Sequence, residues 1–220
     1  MSQIIMNPIH GTIIKGIEIS LFYPLYSIIN YQHVNNTSIY KSINTMKTTT
    51  GFYRGIQFNL LYLPINKYVD LQIYKKFDSS IEAALLSSSL KIITYPLSTC
   101  EVYYLLHNKL PNMNKLYNGF SFYYISNTLS YLLWFNSLAY YNKQFTIKNY
   151  NLKNAIVGLI SGLTVDIIMN PFRVLKTNYQ TTNKIRINFK DIKFIDRGLK
   201  LRLLLSCLQS SFFNMLILWK

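Results

Sequence analysis

Lys91 and Asp166 are the charges in this chain best placed to do chemistry. Each stands five residues before a proline, Pro96 and Pro171, inside an otherwise apolar run, and Ile19 holds the same place before Pro24. A lone charge in an apolar helix is expensive, so both must either pair or face water. Two readings follow. They form a charge pair for which a bound molecule competes, or an ion pair that only fixes helix packing. Glu18 lies one residue off this register and within reach of the same space.

No catalytic constellation accompanies them. His10, His33 and His107 stand apart, and Glu101 is six residues from His107, which puts the two on different faces of a helix. No carboxylate pair shares a face near a nucleophile, and no glycine loop could cradle phosphate. Cys100 and Cys207 fall inside apolar runs and read as small buried hydrophobes rather than a disulfide or metal site. The expectation is no enzyme, no metal and no cofactor.

The elements that must position these residues repeat. Tyr23-Pro24-Leu25, Tyr95-Pro96-Leu97 and Asn170-Pro171-Phe172 put their prolines 72 and 75 residues apart. A glycine follows each proline after 31, 23 and 27 residues, at Gly55, Gly119 and Gly198, and opens another apolar run. This is too regular for chance and predicts three copies of a helix pair, spanning 1–78, 79–147 and 148–220. Gly11 and Gly16, Ala83 and Ser87, and Gly158 and Gly162 place small residues where helices could approach closely. Pro24, Pro96 and Pro171, in register, predict kinks that draw one end of a bundle together.

Composition sets the class. Half the residues are hydrophobic and 14% are charged, against about 25% charged in an average soluble domain. The runs 9–29, 56–74, 81–106, 119–141, 154–175 and 199–219 are each about long enough to cross a bilayer core. Their many Ser, Asn and Tyr residues suit helices that line a water-filled cavity. The sequence therefore predicts an all-α membrane protein, with six transmembrane helices in three pseudo-threefold helix-hairpin repeats. The net charge of +15 could suggest nucleic acid, but the bases cluster between runs instead of forming one patch, which argues against it. No basic segment or small-residue cleavage site precedes the first run, so any targeting is expected to be internal.

The segment Pro171-Phe172-Arg173-Val174-Leu175-Lys176-Thr177-Asn178-Tyr179-Gln180 resembles the P-F-D-V-x-K-T-R-x-Q frame of the mitochondrial carrier family. Tyr53-Arg54-Gly55 and Arg197-Gly198 resemble the aromatic-basic-glycine element that follows that frame. The resemblance runs through the whole chain in three copies. It implies six tilted helices around a central site open alternately to each side, in the mitochondrial inner membrane. The departures are substantial. The chain is much shorter than family members usually are, which implies trimmed surface helices. Where the family has an acid two residues after proline, this chain has Tyr26, Ser98 and Arg173; where it has a base five after, Ile29, Glu101 and Lys176.

The family's ring would pair Tyr26 with Glu101, Ser98 with Lys176 and Arg173 with Ile29, none of them a salt bridge. What remains is a weakened gate of Tyr26, Glu101, Arg173 and Lys176. A second gate would use Lys75 and Asp78, with signs reversed from the family's order. Substrate contacts carried over by position are Tyr62, Ser126 and Asn127, beside the cavity charges Lys91 and Asp166. The implied function is alternating-access transport of a small anionic metabolite, a nucleotide first among candidates. Net positive charge and the aromatic-amide group Tyr62, Tyr124 and Asn127 support that choice. The implied partners are that anion and the lipid bilayer, with the chain a monomer. The alternative is a degenerate carrier that no longer transports and serves as a membrane scaffold; a third is an unrelated six-span enzyme.

Overall fold

Each of the six apolar runs is helical in the computed structural model, which describes residues 8–49, 51–77, 80–147, 150–182 and 196–218. The helices are α1 (Pro8–Asn35), α2 (Ile39–Thr49), α3 (Ile56–Lys76), α4 (Ser80–Leu90), α5 (Tyr95–His107), α6 (Phe120–Gln144), α7 (Tyr150–Thr182) and α8 (Leu199–Leu218). A single 3-10 turn, Met113–Lys115, precedes α6. No strand occurs among the described residues.

This corrects the expectation of six transmembrane helices in three pseudo-threefold repeats. The described residues form eight α-helices, and only two stretches, Pro8–Asn35 and Ala155–Thr181, are long and apolar enough to cross a membrane. The run 81–106 is split into α4 and α5, each too short to cross, and α3 is interrupted by Asn59, Asn66, Lys67 and Asp70. A multi-pass placement in the mitochondrial inner membrane, and the bilayer as partner, lose their basis with those spans.

Pro96 shows why the count differs. The run 81–106 does not kink there; it breaks. α4 ends at Leu90, residues 91–94 form turns, and Pro96 sits in the first turn of α5. Proline is well suited to a first helical turn, where its missing N–H would have no partner anyway. Pro24 and Pro171 do lie inside α1 and α7, so two of the three expected kink prolines are internal to a helix. The surface helix expected to be trimmed from the first segment is present as α2, whose Met46 packs with Ile28, Ile29, Leu105, Leu201 and Leu205. The proposed segment boundaries, at 78/79 and 147/148, fall at or beside residues outside those described.

The proline–glycine recurrence marks a recurring latch. The side chain before each proline donates a hydrogen bond to the carbonyl before each glycine. Tyr23 reaches Arg54 O at 2.9 Å, Tyr95 reaches Asn118 O, and Asn170 reaches Arg197 O at 3.0 Å. Tyr53 and Tyr117 stack on Tyr23 and Tyr95, with centroids 6.3 and 6.4 Å apart. Glycine is required at these turns. Gly55 and Gly119 have φ of 90° and 78°, and a Cβ would lie 3.1 Å from the carbonyls of Glu101 and Lys176.

The helices pack in a ring, α1 on α3, α3 on α4 and α5, α4 on α6, α6 on α7, α7 on α8, and α8 back on α1. Contacts of α7 with α1 and α5 cross the ring and close it locally. Buried side chains are about as often polar as apolar, while Ile9, Ile13, Ile17 and Leu21 form an exposed stripe at four-residue spacing on α1. Polarity is thus concentrated inside the ring.

Candidate functional site

The ring surrounds a partly open cavity of about 360 Å³. α3 lines it with Asn59, Tyr62, Asn66 and Asp70, three or four residues apart and so on one helical face, and with Lys67 beside them. α6 does the same with Tyr123, Ser126, Asn127, Ser130 and Tyr131. α1 contributes Lys15, Tyr26, Asn30 and His33; α5 contributes Glu101; α7 and α8 contribute Arg173, Lys176 and Arg202.

The charges fall into separate clusters. Lys91 Nζ lies 3.1 Å from Asp70 Oδ2 and 4.5 Å from the centroid of the Tyr131 ring. Asp70 also accepts hydrogen bonds from the hydroxyls of Ser87 and Tyr131. Burial lowers the pKa of Lys91 against the pull of Asp70. Asp166 accepts from Arg173, from Arg202 Nε at 3.2 Å and from Ser206. Burial would raise this carboxyl, but Arg202 and Arg173 outweigh it and hold its pKa at about 2. Glu18 is paired with Lys15 and accepts from Tyr26 at 3.3 Å and from Gln209.

Glu101 is different. Its carboxyl accepts only from neutral donors, Asn30 Nδ2 and Asn59 Nδ2 at 3.2 Å each and Tyr62 at 3.3 Å. Burial pushes its pKa up to about 7, against the lowering influence of Lys176 and those donors. Lys176 donates to Ser98 Oγ at 3.1 Å and lies 4.9 Å from the centroid of the Tyr123 ring. Its pKa is brought down to about 8 by burial, with Glu101 pulling the other way. His33 is buried beside this corner, and burial together with Arg202, Arg173 and Lys176 lowers its pKa to about 3, so it is neutral at ordinary pH.

Of the residues singled out in the sequence, Lys91, Tyr62, Ser126, Asn127, Tyr26, Glu101, Arg173 and Lys176 all line the cavity. Lys91 and Asp166 are not paired with each other, because each has a nearer partner on another helix. Ser98 and Lys176 do meet. Tyr26 turns to Glu18 instead of Glu101, and Arg173 turns to Asp166 instead of Ile29. Ser126 donates to Tyr123 O at 3.0 Å, and the Asn127 amide nitrogen is buried without a hydrogen-bond partner. Asp78 lies outside the described residues, as does the side chain of Lys75.

Sequence reasoning does not single out Asn30, Asn59, Lys67, Asp70, Tyr131 or Arg202, all of which line the cavity. The missing signal was the polar stripe of α3, Asn59, Tyr62, Asn66 and Asp70, which counting from prolines and glycines does not reveal.

No family model matches the chain, and no curated protein matches it. The resemblance to the mitochondrial carrier family is therefore corrected, since its motifs, incomplete in every copy, do not bring with them six apolar spans. Alternating-access transport of a small anionic metabolite or nucleotide falls with it. The membrane-scaffold alternative fares no better, because it needs the same spans.

Proposed function

We propose that this chain is a ligand-binding helix bundle, not an enzyme, and that its central cavity receives one small polar molecule. One observation carries the reading: six helices, α1, α3, α5, α6, α7 and α8, turn charged and polar side chains into one partly open cavity of about 360 Å³. A cavity of that size lined with hydrogen-bonding groups suits a small polar molecule. Tyr62, Ser126 and Asn127 are the recognition residues in this reading. Lys91 and Asp166 hold the wall in shape through Asp70, Arg173 and Arg202.

Binding is favoured over catalysis by how the acids are occupied. Asp70 and Asp166 are each neutralised by a cation, and Glu101 is surrounded by donors.

A thermal-shift screen of the whole protein against amino acids, polyols, nucleosides and amines tests the reading. A compound at about a hundred times its dissociation constant adds about 2.7 kcal/mol to stability. The expected result is a rise in melting temperature with one chemical class, abolished in the double variant Tyr62→Phe, Asn127→Ala. A protein that melts cooperatively and responds to no class overturns it.

A further inference from the structure

Building on the cavity as a binding site, we infer that Lys67 is a covalent anchor in its wall, whose amine condenses with the carbonyl group of a small polar aldehyde to form an imine. The inference starts from how the cavity's lysines are occupied. Lys15, Lys67, Lys91 and Lys176 all line it. Lys15 is paired with Glu18 and Lys91 with Asp70, while Lys176 donates to Ser98 and sits against the Tyr123 ring. Lys67 differs. Its amine has no hydrogen bond, ion pair or ring contact among the described residues.

An amine attacks a carbonyl only through a free lone pair, so a lysine clamped as an ammonium by a carboxylate is a poor nucleophile. Desolvation beside other cations is what frees that lone pair. Lys67 is half-buried on α3 and shares the wall with Lys15 from α1 and Lys91 from the turn after α4. Burial and the charges of Lys15 and Lys91 lower its pKa, while Asp70 and Glu18 pull the other way.

The chemistry suits this wall. The nitrogen lone pair bonds to the carbonyl carbon, the C=O π pair moves to oxygen, and a proton passes from nitrogen to that oxygen. The carbinolamine then expels its hydroxyl together with the second N–H proton as water, leaving C=N. No oxidant or reductant is consumed. Asp70, three residues further along the same helix and in the same cavity, is placed to carry those protons. The neutral imine also takes one positive charge away from the neighbourhood of Lys15 and Lys91. Tyr62 and Ser130 supply hydroxyl groups on the wall for the polar part of the aldehyde.

Treatment of the whole protein with glycolaldehyde and sodium cyanoborohydride at pH 7, followed by peptide mapping, tests the inference, because reduction fixes an imine as a stable secondary amine. Lys67 should be labelled at least about tenfold faster than the exposed Lys41, Lys47 and Lys109. Without reductant, glycolaldehyde should raise the melting temperature, and ethylene glycol, which lacks the carbonyl, should not. Lys67→Arg keeps the charge and removes the nucleophile; it should lose the fast label and the thermal shift together. Its circular dichroism melt establishes that it is folded, and the map of the unaltered protein stands without it.

If Lys67 is labelled no faster than the exposed lysines, or if Lys15, Lys91 or Lys176 takes the fast label instead, the assignment is wrong. If a different polar class raises the melting temperature through Tyr62 and Asn127 while Lys67 stays unlabelled, the imine fails and the binding-site reading stands. If nothing labels and nothing binds, both fail.

Discussion

Asp166 and Glu101 are both deeply buried carboxylates in one ring of helices, and their surroundings push them in opposite directions. Asp166 is gripped by two guanidinium groups and a hydroxyl and is held at about 2. Glu101 has three neutral donors and is raised to about 7. The lesson is that burial alone does not decide what a charged side chain is for. A carboxylate with its counter-ions built in belongs to the scaffold, while one that the fold desolvates without a direct counter-ion is held ready for something else.

The harshest way to break this comparison is to remove Asp166. Asp166→Ala leaves Arg173 and Arg202 facing one another, and removing one partner of a buried ion pair costs about 3–5 kcal/mol. Chemical denaturation should show that loss at pH 7. A change under 1 kcal/mol would mean that Asp166 is not part of the scaffold.

The two groups should also give opposite pH signatures. The folded pKa of Glu101 lies above the free value of 4.5. Its contribution is therefore fully present below about pH 4.5 and is lost as pH rises through about 7, a swing of about 3 kcal/mol. Asp166 lies below its free value of 3.8, so its contribution of about 2 kcal/mol is present above that pH and is lost as pH falls through about 2. Lys176, Tyr62, Asn59 and Tyr23 all face Glu101 and favour its charged form against burial. His33, whose folded pKa of about 3 lies below its free value of 6.5, acts in the opposite sense as pH rises to 6.5. The Glu101 contribution is therefore read as a difference: the wild type should lose stability relative to Glu101→Gln between pH 4.5 and 7. An unchanged slope in the variant would assign the titration to another group.

A smaller effect sharpens the contrast between wall and frame. Tyr95→Phe removes the latch to Asn118 O and should cost about 1 kcal/mol, with ligand binding retained. Equilibrium unfolding measures the first and titration the second; lost binding with intact stability would place Tyr95 in the site. Smallest of all, Ile13→Ser on the exposed stripe of α1 should change stability by no more than about 0.5 kcal/mol. A larger loss would show that this face is covered.

Helix placement was legible in the sequence because apolar runs of about twenty residues declare themselves. The prolines were legible as positions but not as consequences. Pro24 is carried inside α1, whereas Pro96, in similar local sequence, begins a helix after the four-residue turn 91–94. That choice is made by packing of α5 against α3 and α7, which no local pattern encodes. In the site, Lys91 and Asp166 stood out as lone charges in apolar runs. Their true partners did not, because Asp70 and Arg202 come from other helices and only the ring brings them near.

The three latches span 31, 23 and 27 residues. Each closes a loop within its own stretch of chain, so none must wait for the ring to form. Loop closure becomes only slightly more costly with length, about 0.6 kcal/mol per doubling, and the three closures are close to equal in entropic cost. Contacts this local favour fast folding. Each latch thus fixes one turn from within its own stretch of chain, whereas the contact of α8 with α1 joins the two ends of the ring.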